Sequence, residues 1–225
     1  MNTETIDPIW IRAFTIVIDI LKIFLGAFCG AAFAFAYERR RKHDEERNKR
    51  TIALRDAQFA LVARINSFLI LQKQHLAPQT GNPNRWVELP PFLYVTNPPV
   101  FPMAELSFLL DDVDPNLLGE LVVARDKFNT VCEIIAYRNK KHDEFQLLSE
   151  KNETSERLKV QLTQFTDALY IQLPDAVLFM YSVLDKLTQI MLKHFKDVNA
   201  LCIGGEIEQM IKSLQQEERT RYGKS

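Results

Sequence analysis

Four histidines, His43, His75, His142 and His194, and three cysteines, Cys29, Cys132 and Cys202, are the side chains best suited to metal binding or nucleophilic work. None stands beside a second ligand at the spacing that a zinc or redox centre needs, and neither H-E-x-x-H nor C-x-x-C occurs. The glycine patterns that cradle phosphates or expose a catalytic serine, G-x-x-x-x-G-K-[ST], G-x-G-x-x-G and G-x-S-x-G, are equally missing. An odd cysteine count without a close pair argues against a disulfide framework and suits a reducing compartment. The expectation is a chain with no catalytic residues, no metal, no cofactor and no small-molecule substrate.

One pair remains worth weighing. Arg138-Asn139-Lys140-Lys141-His142 places Arg138 and His142 at i and i+4, on one face of a helix, where an imidazole could move a proton beside a fixed cation. The stretch resembles the R-x4-6-H motif of HEPN ribonucleases over these five residues, with three residues between Arg138 and His142 where the motif has at least four. That resemblance implies ribonuclease acid–base chemistry at this pair. The neighbours Lys140, Lys141, Asp143 and Glu144 favour a plainer expectation, a solvated charge cluster at the end of a helix.

The elements that must carry these residues follow from composition. The chain has 225 residues, with 28 basic and 29 acidic side chains and a net charge of -1, so no nucleic-acid partner is expected. Its 7 glycines are few, and of its 10 prolines all but Pro8, Pro115 and Pro174 fall between Pro78 and Pro102. Scarce glycine, clustered proline and abundant Leu, Ala, Glu, Lys and Gln predict an all-α fold: a single N-terminal transmembrane helix, then a cytoplasmic bundle of three or more long helices with a Pro-rich extended strap.

The anchor is the clearest segment. From Ile9 to Tyr37 the chain is apolar except for Arg12, Asp19 and Lys22. The charged block from Glu38 to Arg50 cannot enter hydrocarbon, so about 20 residues counted back from Tyr37 set the span at 18–37. Residues 1–17 then form a short extracytoplasmic or interfacial N-terminus, in which Asp7 and Pro8 are an N-cap and N1 pair and Trp10 lies in an amphipathic stub. Asp19 and Lys22 become the intramembrane polar residues, an interfacial ion pair near the outer edge, or else a polar face turned into an oligomer. Gly26 and Gly30, with Ala34, provide small residues for association of membrane helices.

Seven Lys or Arg between Glu38 and Arg50, led by Arg39, Arg40, Arg41 and Lys42, form the topogenic basic flank. The positive-inside rule puts the following body in the cytoplasm and the N-terminus outside, a single-pass protein of the plasma (inner) membrane. Ala34-Phe35-Ala36 matches an A-x-A cleavage pattern. The acidic residues Glu4 and Asp7, the overlong apolar segment and the basic run that would follow cleavage argue for an uncleaved anchor.

Beyond the anchor, i,i+4 pairs such as Glu38/Lys42 and Arg41/Glu45 predict a charged stalk helix over 38–53. A helical-bundle domain is expected over 54–203, and a C-terminal amphipathic helix and tail over 204–225. Apolar positions recur at Leu54, Ala57, Leu61, Ile65, Phe68 and Leu69, again at Leu117, Leu118, Leu121, Phe128, Cys132 and Ile135, and from Leu158 to Met191 at spacings of three and four. Within the bundle domain, 77–103 is the strap, and its aromatics Trp86, Phe92, Tyr94 and Phe101 are expected to pack onto the helices. Further expectations are a short helix over Ala104 to Leu110, N-caps at Asp114 and at Ser155 or Thr154, and a kink or break near Leu173 caused by Pro174. Val177 to Leu184 is uncharged but too short to cross a bilayer.

The functional expectation is a membrane-anchored, non-enzymatic interaction or scaffold protein whose partners are the lipid bilayer and either a second copy or a cytosolic protein. An oligomerising, membrane-perturbing effector of a bacterial defence or toxin-like system is the alternative, and a HEPN-like ribonuclease the remote one.

Overall fold

The computed structural model describes residues 8–92, 98–112, 114–151, 155–195 and 205–222. Asp7, Tyr94, the Asn152-Glu153-Thr154 turn, Cys202 and Gly204 lie outside them, as do the side chains of Trp10 and Arg12. Among the described residues all regular structure is helical, with one long apolar helix near the N-terminus. The chain divides into two compact units, Met1–Lys49 and Arg50–Ser225.

Helix α1 runs over Pro8–Leu71, 64 residues without an interruption. It begins on proline, whose missing N–H would have no intrahelical acceptor at that position. In the first unit its apolar side chains lie in the open, with Phe24 74%, Phe28 73% and Phe33 77% exposed. This is the helix long and apolar enough to cross a membrane. It ends in a π-helical turn, Gln72–Leu76, closed by the Ala77 amide donating to the Gln72 carbonyl. A 3-10 turn, Ala77–Gln79, follows, where Pro78 cannot continue the α-helical ladder.

The second unit is built around α4 (Pro115–Glu150) and α5 (Glu156–His194). Both begin on caps legible in the sequence. Asp114 is extended and its carboxylate accepts from the Asn116 amide at 3.0 Å, while Ser155 Oγ accepts from the Leu158 amide at 3.4 Å. The two helices are antiparallel, because Glu120 pairs with Lys186, Lys127 with Asp175, and Arg138 with Thr166. Residues 53–71 of α1 add a third surface, with Leu54, Ala57, Leu61, Ile65 and Leu69 all buried. Gln58, fully buried, ties that stretch to α5 by donating to Thr188 Oγ1 at 2.8 Å. The amphipathic α6 (Gly205–Tyr222) buries Ile211 and Leu214 against the same core.

Three expectations need correction. Of the kink or break expected at Pro174, the break is absent: Pro174 lies inside α5, which runs on through it. Leu173, Ala176 and Val177 on either side of it are buried, and that burial offsets a proline penalty of ~3 kcal/mol. The short helix expected over Ala104 to Leu110 is α3 at Phe108–Asp112, preceded by a turn in which Leu106 donates to the Pro102 carbonyl. The Pro-rich stretch is not extended throughout, since Arg85–Glu88 forms one helical turn, α2, whose Leu89 amide returns to the Arg85 carbonyl.

Candidate functional site

The only sequence feature with acid–base potential, Arg138 and His142, sits where water does not reach. Arg138 is 0% and His142 2% exposed, so the expected solvated charge cluster is overturned for these two residues. Nor do they mark the helix end, because α4 continues to Glu150. The physical reason is periodicity. Buried residues on α4 fall at Leu117, Leu121, Ala124, Phe128, Val131 and Ile135, alternating steps of four and three, and the next two steps of that series land on Arg138 and His142. Lys140 and Asp143 point the other way and are exposed, while Lys141 pairs with Glu144 at 2.6 Å.

What fills the space over this part of α4 is the stretch Trp86 to Phe92. The Arg138 guanidinium donates through Nη1 to the Pro90 carbonyl at 3.1 Å and through Nη2 to the Leu89 carbonyl and, at 3.4 Å, to that of Trp86. Its Nε donates to Thr166 Oγ1 on α5 at 3.2 Å. Asn139 makes a reciprocal pair with Phe92, accepting from its amide at 3.0 Å and donating to its carbonyl at 2.8 Å. His142 Nε2 lies 3.1 Å from the Val87 carbonyl and is therefore the protonated ring nitrogen, leaving Nδ1 buried without a partner.

Among the described residues no carboxylate pairs with Arg138; carbonyl dipoles and the Thr166 hydroxyl solvate it instead. Burial lowers its pKa from the usual guanidinium range to about 10, partly offset by Tyr170, so the cation is held at the expense of hydration that its hydrogen bonds replace. The Phe92 ring lies 4.9 Å below the guanidinium. At the margin, Arg85 pairs with Asp167 at 2.6 Å and covers the Tyr170 ring at 4.5 Å, and Trp86 meets Phe145 edge-on at 5.3 Å. The Tyr170 hydroxyl donates to the Leu76 carbonyl at 2.7 Å, satisfying one carbonyl where α1 has ended.

A second buried arginine repeats the theme. Arg64, 4% exposed, donates to the Ala60 carbonyl at 3.0 Å and packs its guanidinium 4.2 Å from the Phe101 ring and 5.2 Å from that of Phe128. Its Nε has no partner, and desolvation lowers its pKa to about 10. Cys132 lies close by, its thiol pushed up to about 11, chiefly by burial, which makes it a poor nucleophile. Of the four aromatics singled out in the Pro-rich stretch, Phe92 and Phe101 are buried with their rings against the Arg138 and Arg64 guanidinium groups, Trp86 is half-buried, and Tyr94 is outside the described residues.

The other residues singled out from sequence are dispersed along the first unit. Asp19 and Lys22 pair at 3.1 Å with side chains 61% and 71% exposed. Gly26, Gly30 and Ala34 are exposed, and a Cβ added at either glycine would meet nothing within 4 Å. In the basic flank Arg39 and Arg40 are exposed, Arg41 pairs with Glu45 at 3.3 Å, and Lys42 pairs with Glu38 at 3.1 Å. A shallow depression at Tyr37, Arg40, Arg41, Asp44, Glu45 and Asn48 is lined by α1 alone and encloses nothing. Among the described residues no three His, Cys, Asp or Glu side chains converge as metal ligands.

No protein-family model, curated protein or solved structure matches the chain.

Proposed function

We propose that the protein is a membrane-anchored, non-enzymatic interaction or scaffold module: α1 holds it in the plasma (inner) membrane by one span at 18–37, and a cytoplasmic helical body is offered to a protein partner. The observation that carries this reading is the fate of Arg138 and His142. The one constellation with acid–base potential is occupied in binding the protein's own main chain, and its imidazole has no path to a substrate in this state. The body is read as a bundle of α4, α5 and the second half of α1, with 77–103 as its Pro-rich strap, a reading supported by the Phe92 ring against Arg138 and the Phe101 ring against Arg64.

Orientation rests on Arg39, Arg40, Arg41 and Lys42, which favour an outside N-terminus and a cytoplasmic body. The ion pair of Asp19 with Lys22 supports an interfacial position for both, since a paired carboxylate and a snorkelling ammonium at the edge need no pore. The open space over Gly26 and Gly30 favours a second reading, close self-association in the bilayer, which a membrane-perturbing effector would also use. Affinity capture of the full chain from detergent extracts should return a stoichiometric protein partner or a defined oligomer. Recovery of monomer alone would sink the proposal.

A further inference from the structure

We propose that the α4 face formed by Arg138, Asn139 and His142 is a peptide-binding site, occupied in cis by Arg85–Phe92 and able to accept in trans a peptide of the same form, one helical turn leading into a proline-containing segment. This deepens the interaction-module reading, on which it rests, by naming the surface and the kind of partner.

The geometry of the contacts carries the inference. Three side chains from one turn of α4 bond five residues of the segment, and every one of those bonds goes to main chain: the carbonyls of Trp86, Val87, Leu89, Pro90 and Phe92 and the amide of Phe92. Reading main-chain carbonyls that a segment does not spend on itself, while burying side chains three residues apart such as Leu89 and Phe92, is how proteins hold polyproline-like peptides. The helical turn Arg85–Glu88 offers the Trp86 and Val87 carbonyls in the same way. Leu89 and Phe92 are the residues buried from this segment, and Pro90 and Pro91 between them are exposed. The clamp therefore specifies a short pattern, an apolar residue, two prolines and an aromatic residue.

The occupant is held to what it covers by side chains, Arg85 on Asp167 and Trp86 on Phe145 among them, and not by a backbone ladder. Backbone-to-backbone hydrogen bonds of the described residues 85–92 are all local, from Arg85 to Asn82, from Val87 and Glu88 to Asn84 and from Leu89 to Arg85. None ties the segment to α4 or α5, so it can leave without opening either helical ladder. Its departure would rehydrate the Arg138 guanidinium and the orphaned Nδ1 of His142, two groups whose burial opposes the closed state. A cis segment on a short tether competes at an effective concentration in the millimolar range, so the unmodified protein should bind the same sequence in trans only weakly.

The test uses a fluorescein-labelled octapeptide with the sequence of Arg85 to Phe92 and the full chain in nanodiscs. Leu89→Ala in the protein weakens the cis occupant and should tighten peptide binding by about tenfold over the unmodified chain. Adding Asn139→Ala to that variant should abolish the gain, because the reciprocal Phe92 pair is lost. In parallel, hydrogen exchange on the unmodified chain should show amides in 85–92 exchanging at least about tenfold faster than those of residues 131–142 of α4. Equal exchange of the two stretches, or no peptide binding to the folded Leu89→Ala chain at millimolar concentration, would overturn the proposal. A chain that captures no cellular partner yet binds the peptide would count against the interaction-module reading alone, whereas one that captures a partner but fails both arms loses only the site.

Discussion

Two stretches of the same helix, Phe14 to Tyr37 and Ala53 to Leu71, are both rich in large apolar side chains, yet they treat them oppositely. In the first, Phe24, Leu25, Phe28, Phe33 and Phe35 are between 67% and 77% exposed, spread around the helix with no buried side. In the second, Ala53, Leu54, Ala57, Leu61, Ile65, Phe68 and Leu69 are at most 3% exposed, and they recur at spacings of three and four. A helix apolar all round needs a solvent other than water, whereas one apolar on selected faces needs a protein partner. The contrast teaches that hydrophobicity alone does not separate a candidate membrane span from a core helix; its angular distribution does.

The largest effect that could break this comparison comes from charging the exposed apolar stretch of α1, the proposed anchor. Phe24→Lys together with Phe28→Lys should oppose insertion by about 2.5–3.5 kcal/mol per lysine, enough to move most of the protein out of the membrane fraction on flotation. A chain that floats unchanged would mean that the exposed apolar surface has some other use.

Next in size is removal of the buried cation in the body. Arg138→Ala leaves the carbonyls of Leu89 and Pro90 and the Thr166 hydroxyl without their donor and opens a cavity, so urea unfolding in detergent should show a loss of about 3–5 kcal/mol. Arg138→Lys should recover little of it, because an ammonium lacks the planar fork that reaches Pro90, Leu89 and Thr166 together. Asn139→Ala removes the two Phe92 hydrogen bonds and should cost about 1–2 kcal/mol in the same assay.

Cys132 offers a pH signature in the second unit. Its thiol is raised from the ordinary 9.0 to about 11, chiefly by burial. Between those values the unfolded chain releases a proton that the folded chain keeps, so stability present below pH 9 should decline as pH rises through about 11. Because the residue is only part-buried, the loss should stay near 1 kcal/mol. Cys132→Ser should flatten that part of the profile, and alkylation of Cys132 at pH 8 should be slower than that of an unfolded control. The smallest effect belongs to the exposed Lys186–Glu120 pair, where Lys186→Ala should change stability by less than ~1 kcal/mol.

Much of this architecture is legible in the sequence, and the parts that are not have physical reasons. Asp114-Pro115 and Ser155 announce their helices because capping is local chemistry. The long apolar N-terminal helix is equally plain. Arg138 and His142 escape a reading that follows apolar residues only: the stripe on α4 ends at Ile135 by residue type but continues by spacing. Burial of a cation there depends on carbonyls contributed from some fifty residues earlier in the chain, which no local pattern encodes. Pro174 misleads in the other direction, because a helix packed on both sides of a proline tolerates it. The Pro-rich stretch announces its aromatics but not the turn of helix at Arg85–Glu88 that aims Leu89 and Phe92 inward.

The most direct measurement places single nitroxide labels along α1 of the full chain in liposomes, at Phe24, Phe28 and Phe33 in one set and at Arg55, Phe59 and Asn66 in the other, with the native cysteines replaced by serine. Collision with oxygen and with a soluble nickel complex reports whether each label meets lipid or water. Labels at Phe24, Phe28 and Phe33 should be open to oxygen and closed to nickel, while those at Arg55, Phe59 and Asn66, exposed on the body, should be open to nickel. Nickel access at all six positions would contradict the membrane anchor.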